Sequence, residues 1–174
     1  MKKIFVCLLL AFLSVMGYSQ NSTRINVAIT GGSGIDLGKT PYTPVTGSVC
    51  VLTNVFHRFD AGIGLGISSY ERVLLPIFAD IKFRIIKPHL FTPYLECAAG
   101  YALALENNAS GGFYVNPLFG VEFAFRNDIK IFLNAGYEYQ SLTRLKKNEN
   151  EFFKSEFIEQ LNHHIIAIKI GLLF

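Results

Sequence analysis

From residue 24 onward the sequence alternates with a period of two, and the two sides of the alternation differ in kind. The last twelve residues, HHIIAIKIGLLF, show the rule in miniature. Ile166, Ile168, Ile170, Leu172 and Phe174 fall on one face of a strand. Ile165, Ala167, Lys169, Gly171 and Leu173 fall on the other. An apolar edge strand at the end of a soluble chain invites aggregation, whereas in a closed barrel the last strand is paired on both sides and its apolar face meets lipid.

The same pattern predicts seven further strands. They are Arg24–Gly32, Val45–Phe56, Phe59–Tyr70, Leu74–Ile86, Pro93–Leu105, Gly112–Arg126 and Ile129–Gln140. Most have about 9 to 14 residues, longer than ordinary globular strands and suited to a tilted membrane crossing. Eight is an even number, as bacterial single-chain barrels require. Connections after the second, fourth and sixth strands are generally short, and those after the first and seventh, Ser33–Pro44 and Leu142–Asn162, are long. The predicted fold is an all-β, eight-stranded antiparallel up-and-down transmembrane β-barrel.

A lipocalin-like soluble barrel would share the period with its apolar face inward. Side-chain size and charge choose between the two. No Asp, Glu, Lys or Arg within the strands falls on the apolar face. Asp60, Asp80, Lys82, Arg84, Glu96, Glu122, Lys130, Glu138 and Lys169 all fall on the other, which is also rich in Gly and Ala. An eight-stranded barrel has an interior just wide enough for side chains to fill, so small residues and a few long charged ones suit it. Phe59, Phe123, Phe125 and Phe174 are expected at the inner ends of the lipid face, and Phe113, Tyr137 and Tyr139 towards the outer ends, as two aromatic girdles.

Residues 1–19 read as a signal peptide: Lys2 and Lys3, the apolar run Ile4–Met16, then Gly17-Tyr18-Ser19, with cleavage expected before Gln20. Residues 20–174 form the barrel domain. Without Lys2 and Lys3 the 16 basic residues become 14 against 13 acidic, too balanced for a nucleic-acid surface. Cys50 falls inward and Cys97 outward, so a disulfide between them is not expected.

Leu75-Pro76-Ile77-Phe78-Ala79-Asp80, Gly112…Pro117-Leu118-Phe119-Gly120 and the Phe-terminated tail resemble the small outer-membrane β-barrel proteins of the OmpA/OmpX type, most of all the porin-family barrel domains of Bacteroidetes. The resemblance implies residence in the outer membrane, a monomer in contact with outer-membrane lipid, and a terminal strand read by the barrel assembly machinery through Ile166, Ile168, Ile170, Leu172 and Phe174. It implies no cofactor.

The inward charges must pair or be hydrated, because an isolated buried charge is very costly. Lys82 and Arg84 neighbour the strand that supplies Glu96, and Lys169 neighbours the strand that supplies Glu138. A salt-bridged plug formed by Asp80, Lys82, Arg84, Glu96, Glu122, Lys130, Glu138 and Lys169 is the expectation, in preference to a conducting path. The chain is expected to be a non-enzymatic barrel whose outer loops serve envelope structure, adhesion or interaction. The alternatives are a lipid A- or phospholipid-modifying enzyme of the same fold and, behind it, a soluble periplasmic lipocalin-like carrier. Lipid A deacylase barrels carry His-x-Ser, and none of His57, His89, His163 or His164 is followed by Ser two residues later. His164 is the histidine near the lipid face; Ser141 and Glu159 are its candidate partners, on a spacing that is not informative. His163 and His164 point to opposite faces, so one metal site cannot easily use both. No catalytic, cofactor-binding or metal-binding residue is assigned. Within Leu142–Asn162, the spacing of Phe153, Phe157, Ile158 and Leu161 suits a short amphipathic helix over the barrel mouth, with a solvated loop as the equal alternative.

Overall fold

A computed structural model describes residues 25–38, 43–70, 73–105, 109–126, 129–150 and 153–174. The predicted signal peptide, Arg24 and residues 127 and 128 lie outside them. Nine strands follow in chain order: β1 Ile25–Asp36, β2 Val45–Phe56, β3 Phe59–Ser69, β4 Val73–Arg84, β5 Phe91–Ala104, β6 Ala109–Ser110, β7 Gly112–Arg126, β8 Ile129–Asn150 and β9 Phe153–Leu173. Eight of them are barrel staves, each antiparallel to the next in sequence. β9 pairs with β8 on one side and β1 on the other, which closes the sheet. At the seam Ala28 lies opposite Leu173, and Phe174 and Val27 exchange backbone hydrogen bonds of 3.0 and 3.1 Å. The short β6 is an appendage on β8, opposite Thr143 and Arg144.

The side-chain faces follow the alternation. In β4, Ile77 and Ile81 are exposed while Phe78, Asp80, Lys82 and Arg84 are buried. In β9, Ile166, Ile168, Ile170 and Leu172 are exposed, as is Phe174 beyond its end, while Ile165, Ala167, Lys169, Gly171 and Leu173 are buried. Ile63, Leu65 and Ile67 continue this belt on β3, and Leu95 and Phe119 continue it on β5 and β7. At its inner rim Phe59 packs on Phe83 and Phe91 on Phe123, with ring centroids 4.6 and 4.4 Å apart. The protein is therefore inverted with respect to a soluble barrel: apolar outside, charged inside.

Glycines make the interior possible. A Cβ on Gly64 would lie 2.5 Å from the Phe78 ring, and one on Gly120 would lie 2.5 Å from Tyr94. A Cβ on Gly171 would collide with the Phe132 ring and the Ile29 carbonyl. Each of these three glycines leaves a slot that a buried ring from a neighbouring strand fills. The interior thus holds bulky rings as well as the expected small and charged residues, with Phe78, Tyr94, Tyr114 and Phe132 all buried.

Four expectations are corrected. β1 continues past Gly32 to Asp36, because Ser33–Asp36 pair with Ile165–Ile168 of β9. The connection between the predicted strands Pro93–Leu105 and Gly112–Arg126 contains β6. Strand four ends at Arg84, leaving Ile86 exposed. The helix considered within 142–162 is instead a β-ribbon: β8 and β9 remain in register from Lys130 opposite Leu173 to Asn150 opposite Phe153. Cross-strand pairing, propagated from two long staves, satisfies the backbone groups that β8 and β9 turn toward each other, which a helix would have satisfied locally.

Candidate functional site

Three groups of polar side chains occupy the lumen. Nearest the inner end, Glu122 is buried among three cations. Lys82 Nζ lies 3.3 Å from its Oε1, while Arg84 Nε and Lys130 Nζ lie 3.5 and 3.4 Å from its Oε2. Lys82 also reaches Glu96 at 3.3 Å and sits 4.3 Å from the Tyr94 ring centroid, which adds cation–π attraction. Arg84 pairs with Asp60, which in turn accepts from Asn54 Nδ2 at 2.8 Å. Glu96 therefore serves Lys82 and not Arg84, whose guanidinium turns to Asp60 and Glu122. Asp80 accepts a weak bond from Cys50 Sγ at 3.7 Å.

Higher in the lumen, Lys169 Nζ donates to Glu138 at 2.5 Å and to Asn116 Oδ1 at 2.8 Å. Glu138 also accepts from the Tyr70 hydroxyl. Tyr70 lies just past the end of β3, where burial and the Glu138 charge push its hydroxyl far above the usual range, so it remains a donor. Asn116 has a second task. Pro117 has no N–H for the β7–β8 ladder, which is interrupted between Val115 and Leu118, and the Asn116 side-chain amide donates to the Tyr137 carbonyl at 3.0 Å instead. At the outer mouth His163 stacks on Tyr70, with centroids 5.0 Å apart and planes 8° apart, and its Nδ1 lies 3.3 Å from Asp36. Leu74, Ala102 and Leu142 form an apolar layer beside it.

These groups leave little free space. A void of about 20 Å³ between Asp80, Lys82, Asn116 and Lys169 has room for a single water. The eight residues expected to form the plug are all in the lumen, and all but Asp80 are ion-paired. Sequence reasoning missed Tyr70, Asn116 and Asn134, which complete the polar network, and Gln140, whose side-chain amide donates to the Ser141 carbonyl at 3.1 Å. Asn134 accepts from Tyr94, and Gln140 is fully buried. Their inward parity was the available signal.

On the outer surface His164 bonds through Nδ1 to the Tyr137 hydroxyl at 2.5 Å. Ser141 is not its partner: the Ser141 hydroxyl accepts from the Phe113 N–H at 2.8 Å. The Glu159 side chain lies outside the described residues. No grouping of three or more His, Cys, Asp or Glu that could hold a metal occurs among the described residues. Cys50 is buried, Cys97 is exposed, and both are free.

No protein-family model and no curated protein matches the sequence. Among solved structures, the chain is similar to Neisserial surface protein A (NspA), at 11% identity and a TM-score of 0.52, covering 88% of this chain and 100% of that one. It is also similar to the N-terminal β-barrel domain of Pseudomonas aeruginosa OprF, at 11% identity and a TM-score of 0.50, again covering 88% and 100%. At that identity the likeness is one of fold: the chain has the eight-stranded architecture of outer-membrane β-barrels.

Proposed function

We propose that the protein is an integral outer-membrane barrel with no enzymatic activity, whose filled lumen carries no solute and whose projecting β8–β9 ribbon presents the interacting surface. The observation that carries this reading is the inverted side-chain distribution. A belt of Ile, Leu and Phe covers the outside, and paired charges are sealed within. In water that exterior would be an aggregation surface far larger than monomeric proteins tolerate. In lipid it is the favoured arrangement.

The closed lumen supports a scaffold or anchor in preference to a pore, since aqueous channels belong to barrels of about 16 strands. On the lipid face, His164 is engaged by a tyrosine and, among the described residues, has no serine–carboxylate arrangement of the kind hydrolysis needs. β8 and β9 extend well past the rungs they share with β7 and β1, which carries the ribbon beyond the outer girdle on a rigid base. During biogenesis the row Ile166, Ile168, Ile170, Leu172 and Phe174 serves as the assembly signal.

Fractionation and gel migration test the reading together. The folded protein should be recovered with outer membranes and should migrate differently in detergent gels before and after boiling. Recovery in the soluble fraction would refute it. Liposomes containing the protein should not swell in isotonic sugar, and labelled lipid A should be recovered unchanged.

A further inference from the structure

The outer surface of the β8–β9 sheet changes character within a few rungs. Ile131 and Leu133 on β8, with Leu172, Ile170, Ile168 and Ile166 on β9, form its apolar part. Tyr137, Tyr139 and His164 follow, and then Ser141 and Asn162. A switch from aliphatic to aromatic to polar along one face marks the depth at which a bilayer passes from chains to headgroups.

We infer that Tyr137, Tyr139, Asn162 and His164 form a binding site for the phosphate of a membrane-lipid headgroup. The inference rests on the membrane-spanning reading above. Its chemical basis is the disposition of donors. In the tautomer whose Nδ1 takes the Tyr137 phenol proton, 2.5 Å away, the His164 ring proton lies on Nε2, and in the imidazolium form, where Nδ1 donates to the phenol oxygen, Nε2 is protonated as well. Tyr139 donates to Asn162 Oδ1 at 3.1 Å, so the amide oxygen is occupied and the NH₂ group is free. The Tyr139 ring also packs against His164, with centroids 5.3 Å apart, and holds the imidazole in place. The two phenols thus occupy acceptors and leave donors. Nε2 of His164 and Nδ2 of Asn162 have no protein partner among the described residues and stand two positions apart on one face of β9, about 7 Å between backbones. One anionic group with several acceptor oxygens can take both. Elsewhere on the outer girdle Tyr101 spends its hydroxyl on the Gly111 carbonyl at 2.8 Å and occupies no side-chain acceptor.

The four histidines permit a direct test. The full chain, folded in zwitterionic micelles with labelled histidine side chains, would be titrated with short-chain phosphatidic acid. The expected result is a saturable NMR shift of His164 alone. His163, sealed in the lumen, and His57 and His89, at the inner end, are internal controls. Diacylglycerol of the same chain length and inorganic phosphate should leave His164 unmoved, which separates a lipid-borne phosphate from a bare chain or a free ion. Retention of the lipid in native mass spectrometry should fall about tenfold in His164→Phe, the loss of one hydrogen bond to a charged group. Asn162→Asp, which replaces a donor with an anion, should lower it further. Both positions are exposed, and gel migration verifies folding. An unmoved His164, equal shifts at all exposed histidines, or unchanged retention in both variants would overturn the inference. A lipid-chain spin label distinguishes this failure from failure of the membrane reading. Broadening of Ile166, Ile168 and Ile170 with no response at His164 refutes only the headgroup site, whereas absence of broadening refutes the membrane reading itself.

Discussion

Glu138 is the most direct test of the filled lumen. It is fully buried and faces Lys169 at 2.5 Å, and among the described residues it is the carboxylate that pairs with that lysine. Glu138→Gln preserves shape and removes the charge. Lys169 then keeps only neutral side-chain acceptors, Asn116 Oδ1 at 2.8 Å and the amide oxygen introduced at position 138, with no carboxylate among the described residues paired to it. Breaking a buried pair by removing one partner typically costs about 3–5 kcal/mol, most of it the desolvation of the stranded charge. Lys169→Met strands Glu138 and should cost a similar amount. The double variant strands neither, so its cost should fall short of the sum of the singles by at least about 2 kcal/mol. Glu122→Gln is a milder comparison, because Lys82 keeps Glu96 at 3.3 Å and Arg84 keeps Asp60. Urea unfolding of the barrel in lipid vesicles gives these free energies. The chain has no tryptophan, so far-UV circular dichroism and the fraction of heat-shifted gel band are the appropriate signals. If both single variants cost less than about 1 kcal/mol and add, the pair is already solvated and the reasoning behind a sealed lumen fails.

Other consequences are simpler to check. Gly171→Ala should destabilise by about 1–3 kcal/mol because its methyl meets both the Phe132 ring and a backbone carbonyl, while Gly31→Ala, with nothing within 4 Å, should stay within about 0.5 kcal/mol in the same unfolding assay. Ile168→Lys, on the 62% exposed lipid face, should cost about 2–4 kcal/mol in vesicles, and a cost near zero would mean that this face meets water. Cys97, on the lipid face, and Cys50, in the lumen, should both resist maleimide in vesicles and react once the barrel is unfolded in water, and ready labelling of folded Cys97 would mean that its face meets water.

The faces of the barrel were legible because parity is a local property. Ile81 and Lys82 are neighbours in sequence and cannot share a side, so each assigns the other. Placing the charges inward did not need the register. Choosing their partners did: Arg84 was expected near Glu96, yet the tertiary arrangement turns it to Asp60 and Glu122. The matching of Gly64 to Phe78 and Gly120 to Tyr94 depends on strands coming side by side, and so does the bond from Tyr70 to Glu138, 68 residues away. The segment 142–162 misled for the complementary reason. Its apolar spacing suits a helix in isolation, but the ladder advancing from Ile129 and from Phe174 offers the backbone partners that local pattern does not record.

The seam between β1 and β9 joins the two ends of the barrel's chain. Every other stave contact can form as soon as the next hairpin emerges, so the sheet can grow by local steps. Closure alone must wait for the final stave, and it brings together residues separated by nearly the whole barrel sequence. That step carries the largest loop-closure entropy and is expected to be the slowest. Until it happens, β1 and the growing end are two bare edges, each able to pair with another chain. The interval before closure is therefore when this protein is most exposed to misassembly, and a device that shelters those edges would act on the rate at which barrels appear and not on their final stability.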